Sequence, residues 1–207
     1  MGSRMTAANA SPRSSYSLRR RTGKPKEDPN VYGSLAVVSR NRKLEEVSFP
    51  SIGIIGAGAT GGYLAARLAA ANLEVTLLAR GSTLAAVQAG GIRVEEPDGA
   101  TISARPKHTV AHGDPVDPVD IVIVCVKSYD TDEAARLAAP LLSDDGYILC
   151  TQNGIDNETI LEKRFGQGRV VPGVLYIGAE RTEPNVIRCS APPRLVVGAT
   201  AGESRQV

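Results

Sequence analysis

This 207-residue chain contains a glycine-rich turn between an apolar run and a helical segment, and that order of patterns limits the folds open to it. Residues 52–55 (IGII) form the apolar run, and residues 56–61 (GAGATG) match the pattern G-x-G-x-x-G. Residues 60–71 follow with high helix propensity and no proline, and residues 74–79 (EVTLLA) are again apolar and β-branched. A strand, a helix and a strand within about thirty residues make one βαβ unit, in which such a turn binds the phosphates of a dinucleotide.

Strands and helices continue to alternate beyond this unit. We predict a helix over 82–88 with Ser82 as its N-cap, a hairpin of 92–95 with 101–104, and a loop over 112–120. The later predicted elements are strands 120–126, 147–151, 169–174, 176–180, 186–189 and 195–197, with helices 131–139 and 156–165. This alternation predicts a Rossmann-like, doubly wound, mostly parallel α/β sheet with helices on both faces.

Charge divides the chain into two parts. Residues 1–50 carry ten Lys or Arg and four Asp or Glu, whereas the remaining residues carry fourteen and eighteen. Residues 1–30 are rich in Ser, Pro, Arg and Lys and cannot bury enough apolar surface to offset their ordering entropy. We therefore expect a disordered basic tail over 1–48 and a nucleotide-binding domain over 49–207. An Arg- and Ser-rich, acid-poor N-terminus is also typical of a mitochondrial transit peptide.

Composition excludes several classes of protein. The longest strongly apolar run, residues 121–126, is far shorter than the roughly 20 residues of a membrane span, so we expect no membrane partner. Three cysteines exclude a disulfide scaffold, and the apolar runs around Cys125 and Cys150 favour a reducing compartment such as the cytoplasm. Eight aromatic residues offer little for stacking nucleic acid. His108 and His112 lack partnering Cys or acidic residues, so we expect no metal site.

The glycines and the end of the second strand indicate which dinucleotide binds. Gly56 allows the tight turn, Gly58 lets a pyrophosphate approach the backbone, and Gly61 allows the helix to pack closely on the strand. An NAD site places an acidic residue at the end of the second strand, but this chain has Arg80 there. Arginine neutralises a 2′-phosphate, so the pattern predicts NADP(H); the alternative is a solvated surface arginine.

Two further polar residues follow predicted strands. Lys127 comes directly after 121–126, and Asn153 follows 147–151. Taken singly they fit a surface lysine and a simple Asn-Gly turn. Because the carboxyl ends of parallel strands meet at one edge of the sheet, we expect both near Gly56 and Arg80. No Ser-His-Asp or Cys-His set is suggested, and we assign no catalytic residue.

The sequence resembles the ketopantoate reductases (2-dehydropantoate 2-reductases) over about residues 51–200. The resemblance is carried by IGIIGAGATGGYLAARL, LLARG, VKSYDTDEAARLAAPLL, QNGIDNE and GVLYIGAERTEPNVIR. Family members reduce 2-dehydropantoate to pantoate with NADPH, on the route to pantothenate and coenzyme A. By position, the resemblance implies that the pyrophosphate is bound by Gly56, Ala57, Gly58, Ala59, Thr60 and Gly61. It implies that Arg80 contacts the 2′-phosphate and that Lys127 and Asn153 border the cofactor. Ala179 would lie against the nicotinamide end. It also implies that Asn153 contacts the substrate, a 2-keto acid.

The resemblance also implies a second, helical domain. In the family that domain supplies a lysine, a glutamate and most substrate contacts, and we find no counterpart before Val207. We therefore expect a truncated enzyme whose 207 residues bind NADPH without useful turnover. The alternatives are an NADP(H)-binding pseudoenzyme or regulatory module, and a reductase of a related 2-keto acid.

Overall fold

The computed structural model describes residues 49–198. The predicted tail over 1–48 therefore lies outside the described residues, as do residues 199–207. The elements are β1 (Ile52–Ile55), α1 (Ala59–Ala70), β2 (Val75–Leu78), α2 (Gly81–Gly90), β3 (Ile92–Glu95), β4 (Thr101–Ala104), β5 (His108–Val110), β6 (Val119–Val124), a 3₁₀ turn (Ser128–Asp130), α3 (Thr131–Ala138), β7 (Leu142–Cys150), α4 (Asn157–Phe165), β8 (Val170–Glu183) and β9 (Val186–Val197).

The strands form one sheet in the order β4-β3-β9-β8-β7-β6-β1-β2-β5. Only the β3–β4 and β8–β9 neighbours run antiparallel, and the other pairs are parallel. Within this sheet, the run β5-β2-β1-β6-β7-β8 has the 3-2-1-4-5-6 order of dinucleotide-binding folds. The predicted Rossmann-like, mostly parallel α/β fold is confirmed.

Helices cover both faces of the sheet because successive strand residues point to opposite sides. On one face, Ile54 of β1 belongs to the same buried cluster as Tyr63 and Ala66 of α1. On the other face, Ile55 belongs to a cluster formed with α3 and α4, which includes Ala135 and Leu161. The short apolar runs thus supply two cores at once, as expected for strands covered on both sides.

The β4-β3-β9 end of the sheet also packs against α1. Val94 of β3 and Ile187 of β9 join the cluster that contains the α1 residues. Glu96, just after β3, accepts a hydrogen bond from the Tyr63 hydroxyl (3.3 Å) and forms an ion pair with Arg67 (3.0 Å). Burial and the neighbouring Glu96 raise the pKa of Tyr63. The helix that follows the glycine turn is therefore held both by β1 and by the β4-β3-β9 end of the sheet.

The predicted boundaries need correction in the C-terminal part. Four short strands were expected over 169–197, but the structure has two long strands, β8 and β9. Their register shifts between Tyr176 and Gly178, opposite Arg194 and Ala191, so that Pro192 and Pro193 lie at a bulge. A bulge tolerates proline because the extra residue there needs no ladder hydrogen bond.

Three local predictions were also wrong. Helix α2 begins at Gly81 with Arg80 as N-cap, and no side chain caps it, so Ser82 is not the cap. Strand β5 (HTV) was not predicted, because three residues carry too little periodicity; its parallel pairing with β2 creates it. Strand β7 begins at Leu142, earlier than the predicted residue 147, because Leu142 pairs with Val119 ahead of a register shift.

Candidate cofactor-binding site

The carboxyl ends of β1, β2, β6 and β7 border a cleft of about 780 Å³. Strand β1 lies between β2 and β6, so the cleft is at the point where the strand order reverses, the usual ligand site of such sheets. Gly61 does not line it. The other nine predicted site residues do: Gly56, Ala57, Gly58, Ala59, Thr60, Arg80, Lys127, Asn153 and Ala179.

The three motif glycines have different surroundings. Gly56 has a φ of +104°, a backbone conformation that other residues rarely adopt. A Cβ added at Gly61 would overlap the Gly56 carbonyl oxygen, so Gly61 allows α1 to approach β1. A Cβ added at Gly58 would meet nothing within 4 Å. Gly58 therefore does not serve packing, and its missing side chain leaves room in the cleft.

Arg80 lies at the start of α2, where the cleft meets the end of β2. Its side chain is exposed, and within residues 49–198 it forms no salt bridge. The first turn of α2 contains no acidic residue. An unpaired guanidinium thus lies beside the positive end of a helix dipole, an arrangement that favours an anion.

A buried hydrogen-bond chain joins the loop after β6 to the loop after β7. The Gln152 side-chain amide donates to the carbonyl oxygen of Val126 (3.1 Å) and to the hydroxyl of Thr131 (2.9 Å). That hydroxyl lies 2.8 Å from Asn157 Oδ1, and Asn157 Nδ2 donates to the Asn153 carbonyl (3.1 Å). All three side chains are buried. These hydrogen bonds therefore set the relative positions of the two loops.

Lys127 and Asn153 stand on these loops, and both are exposed at the cleft. Sequence reasoning identified them but missed the residues that position them. Thr131, Gln152 and Asn157 lie in the quoted segments VKSYDTDEAARLAAPLL and QNGIDNE, but only the fold shows that they meet.

The cleft also contains a thiol. Cys125 Sγ lies 3.5 Å from the Thr151 hydroxyl. Burial raises the pKa of Cys125 to about 11, and the contact with Thr151 acts in the opposite direction. Burial raises the pKa of Cys150, on the neighbouring strand, to about 12. Both thiols are therefore protonated at neutral pH, a state that disfavours a nucleophilic role.

Two basic residues that line the cleft were not predicted as site residues. His112 follows β5 and lines the cleft on the side of Arg80 and α2. Arg181, on β8, donates to the Ala57 carbonyl and to Thr83. Arg181 belongs to the quoted segment GVLYIGAERTEPNVIR, and His112 belongs to none of the quoted segments. Strand pairing brings both residues to the cleft, so the sequence did not reveal their place there.

The sequence model of the family described as ketopantoate reductase PanE/ApbA matches residues 52–202. The chain belongs to this family. The 2-dehydropantoate 2-reductase of Halobacterium salinarum is 38% identical over 150 residues, covering 71% of this chain and 48% of that protein. The enzyme of that name from Mesorhizobium japonicum is 33% identical over 173 residues, covering 73% and 52%. The chain thus spans about half the length of these ketopantoate reductases.

Solved structures of ketopantoate reductases are also similar to this chain. The 2-dehydropantoate 2-reductase of Porphyromonas gingivalis is 32% identical with a TM-score of 0.67, covering 76% of this chain and 56% of that one. The Geobacter metallireducens enzyme is 27% identical with a TM-score of 0.69, covering 75% and 51%. D-mandelate dehydrogenase, solved with NADH, is 20% identical with a TM-score of 0.63, covering 74% and 48%, and shows the fold alone. The resemblance to ketopantoate reductases seen in the sequence is confirmed.

Two negative observations apply to residues 49–198. None of their helices combines the length and apolar character needed to cross a membrane. Nor do they contain a group of three or more His, Cys, Asp or Glu residues placed to hold a metal ion.

Proposed function

We propose that this domain binds NADPH and forms the cofactor half of a 2-dehydropantoate 2-reductase. The observation that carries the proposal is the placement of Gly58 and Arg80 in one cleft at the carboxyl edge of the sheet. Membership of the ketopantoate reductase family and the names of its relatives support the choice of reaction.

The glycine turn fits a pyrophosphate. Gly58 is the N-cap of α1, and the open space beside it lies where a phosphate group has to approach the backbone. The first turn of α1 contains no acidic residue, and its leading amides have no partner within the helix. These donors and the helix dipole favour the charge of a diphosphate.

Arg80 fits the 2′-phosphate that distinguishes NADPH from NADH. It lies at the end of β2, where related folds recognise the adenosine ribose. Because Arg80 has no salt bridge within the described part of the chain, no competing carboxylate has to be displaced. Its planar fork suits a phosphate better than a lysine would.

We assign the nicotinamide end of the cofactor to the side of the cleft formed by β6, β7 and β8. NADPH, when bound, supplies the hydride for reduction of a keto group. Lys127 and Ala179 would border the cofactor, and Asn153 would contact both the cofactor and a 2-keto acid substrate. The buried Gln152–Thr131–Asn157 chain would keep Lys127 and Asn153 in position.

Cofactor choice is tested by titrating NADPH and NADH against the wild type and Arg80→Ala by fluorescence. A charge-assisted contact contributes about 1.5–3 kcal/mol, so the variant should lose roughly ten- to a hundredfold in NADPH affinity and little in NADH affinity. Arg164→Ala, at the end of α4 and outside the cleft, removes the same charge as a control. Equal affinity of the wild type for the two cofactors would refute the assignment.

The substrate is tested separately, by calorimetric titration of 2-dehydropantoate into the NADP⁺-loaded chain. Binding should weaken in Asn153→Ala, because that variant removes the proposed contact. Pyruvate and 2-oxoisovalerate serve as comparison acids. Tighter binding of either comparison acid would contradict the choice of 2-dehydropantoate.

A further inference from the structure

Arg181 connects two walls of the cleft. It lies on β8, and one of its terminal nitrogens donates to the Thr83 hydroxyl (2.9 Å) and to the Ala57 carbonyl (3.2 Å). Ala57 belongs to the glycine turn, and Thr83 lies in the first turn of α2 with 7% of its surface exposed. A single guanidinium thus bridges three elements that are distant in the sequence.

Both partners of Arg181 are neutral oxygens. Within residues 49–198, no carboxylate forms a salt bridge with it. The acids Asp130 and Glu133 also line the cleft; Glu133 is paired with Arg136 at 2.6 Å, and within residues 49–198 Asp130 forms no salt bridge with Arg181. The charge of Arg181 is therefore available to strengthen its two hydrogen bonds, since an ionised donor forms stronger bonds than a neutral one.

The glycine turn needs such support. Gly56 and Gly58 on either side of Ala57 have no side chains to anchor the turn, and Gly58 faces open space. Glycine also leaves the backbone more conformational freedom than any other residue. The bond from Arg181 restrains the peptide between these two glycines from outside the turn.

We propose that Arg181 is a positioning residue that fixes the glycine turn relative to α2 and so sets the affinity for the diphosphate part of the cofactor. The proposal rests on the proposed NADPH-binding function. Since the diphosphate is common to NADPH and NADH, Arg181 acts on both cofactors alike, unlike Arg80.

The experiment measures dissociation constants for NADPH and NADH and the melting temperature without ligand. Arg181→Met removes both hydrogen bonds and should weaken both cofactors by the same factor, roughly tenfold, with the NADPH-to-NADH ratio unchanged. Thr83→Val keeps the shape but removes one acceptor, and should weaken both by a smaller common factor. Thr83→Ser restores the hydroxyl and should recover most of the affinity. In the double variant, Thr83→Val should add little to Arg181→Met, because the shared bond is already lost.

Four outcomes would count against the proposal. Unchanged dissociation constants in folded Arg181→Met would overturn it, as would a lower melting temperature with unchanged affinity, which indicates a purely structural role. Loss of NADPH affinity alone would place Arg181 with the 2′-phosphate instead. If Arg181→Met does not fold, the Thr83 pair decides, and equal affinities in Thr83→Val and Thr83→Ser would overturn the proposal. A wild type that binds neither cofactor would instead refute the proposed function itself.

Discussion

Replacing Gly58 by alanine should abolish most cofactor affinity while leaving the folded chain intact. Gly58 has a φ of −76° and a ψ of −164°, values that alanine adopts without strain, and its added Cβ would have no neighbour within 4 Å. The substitution therefore introduces no clash in the unliganded protein. Its Cβ would stand in the space that we assign to the pyrophosphate.

The expected change in stability is small because two effects oppose each other. Alanine is a poorer N-cap than glycine, which lowers the stability. It also reduces the conformational entropy of the unfolded chain, which stabilises the folded state by about 0.4–1 kcal/mol. The free energy of unfolding should stay within about 1 kcal/mol of wild type, or roughly 2–4 °C in melting temperature. Displacing a phosphate from charge-assisted hydrogen bonds costs about 1.5–3 kcal/mol, so affinity should fall roughly ten- to a hundredfold.

Gly61→Ala is the matched comparison, because it places the same methyl group behind the turn. Its Cβ would overlap the Gly56 carbonyl oxygen, so α1 would have to move away from β1. Overpacking of this kind costs about 1–3 kcal/mol, and the melting temperature should fall by roughly 2–12 °C.

The assay combines thermal unfolding without ligand with fluorescence titration of NADPH for the wild type and both variants. We expect Gly58→Ala to retain stability and lose affinity, and Gly61→Ala to lose stability. Wild-type affinity in Gly58→Ala would show that no phosphate approaches this backbone. A Gly58→Ala chain as unstable as Gly61→Ala would show that the space beside Gly58 is not open.

Two further predictions concern the polar and thiol groups around the cleft. Thr131→Val leaves the Gln152 amide and the Asn157 side-chain carbonyl oxygen without their shared partner, so urea denaturation should show a free energy of unfolding lower by about 1–3 kcal/mol. Thr131→Ser keeps the hydroxyl and should keep most of the stability. Equal losses in the two variants would exclude the hydroxyl as the cause. Burial raises the pKa of Cys150 from 9.0 to about 12, so the unfolded chain releases this proton first and the free energy of unfolding should fall as pH rises through that range. Cys150→Ala should make that decline shallower in urea denaturation, and an unchanged slope would contradict the shift.

The identity of the fold was predictable because its signal is local. The strand at 52–55, the glycine turn and the helix after it lie within one continuous stretch, and each has a distinct residue pattern. The same holds for Arg80, which is recognisable from its position at the end of the second strand. The hairpin of β3 and β4 was also predicted, since its turn signal Pro97-Asp98-Gly99 lies between two short apolar runs.

The βαβ unit with its glycine turn and the family could thus be inferred without a structure, because each rests on residue patterns within short continuous segments. How the remaining parts meet depends on the packed fold. Strand β5 exists through its pairing with β2, the β8–β9 ribbon continues past its prolines through a bulge, and Arg181 reaches Ala57 across 124 residues. These features depend on partners brought together by the sheet, and no local pattern encodes a contact with a distant partner.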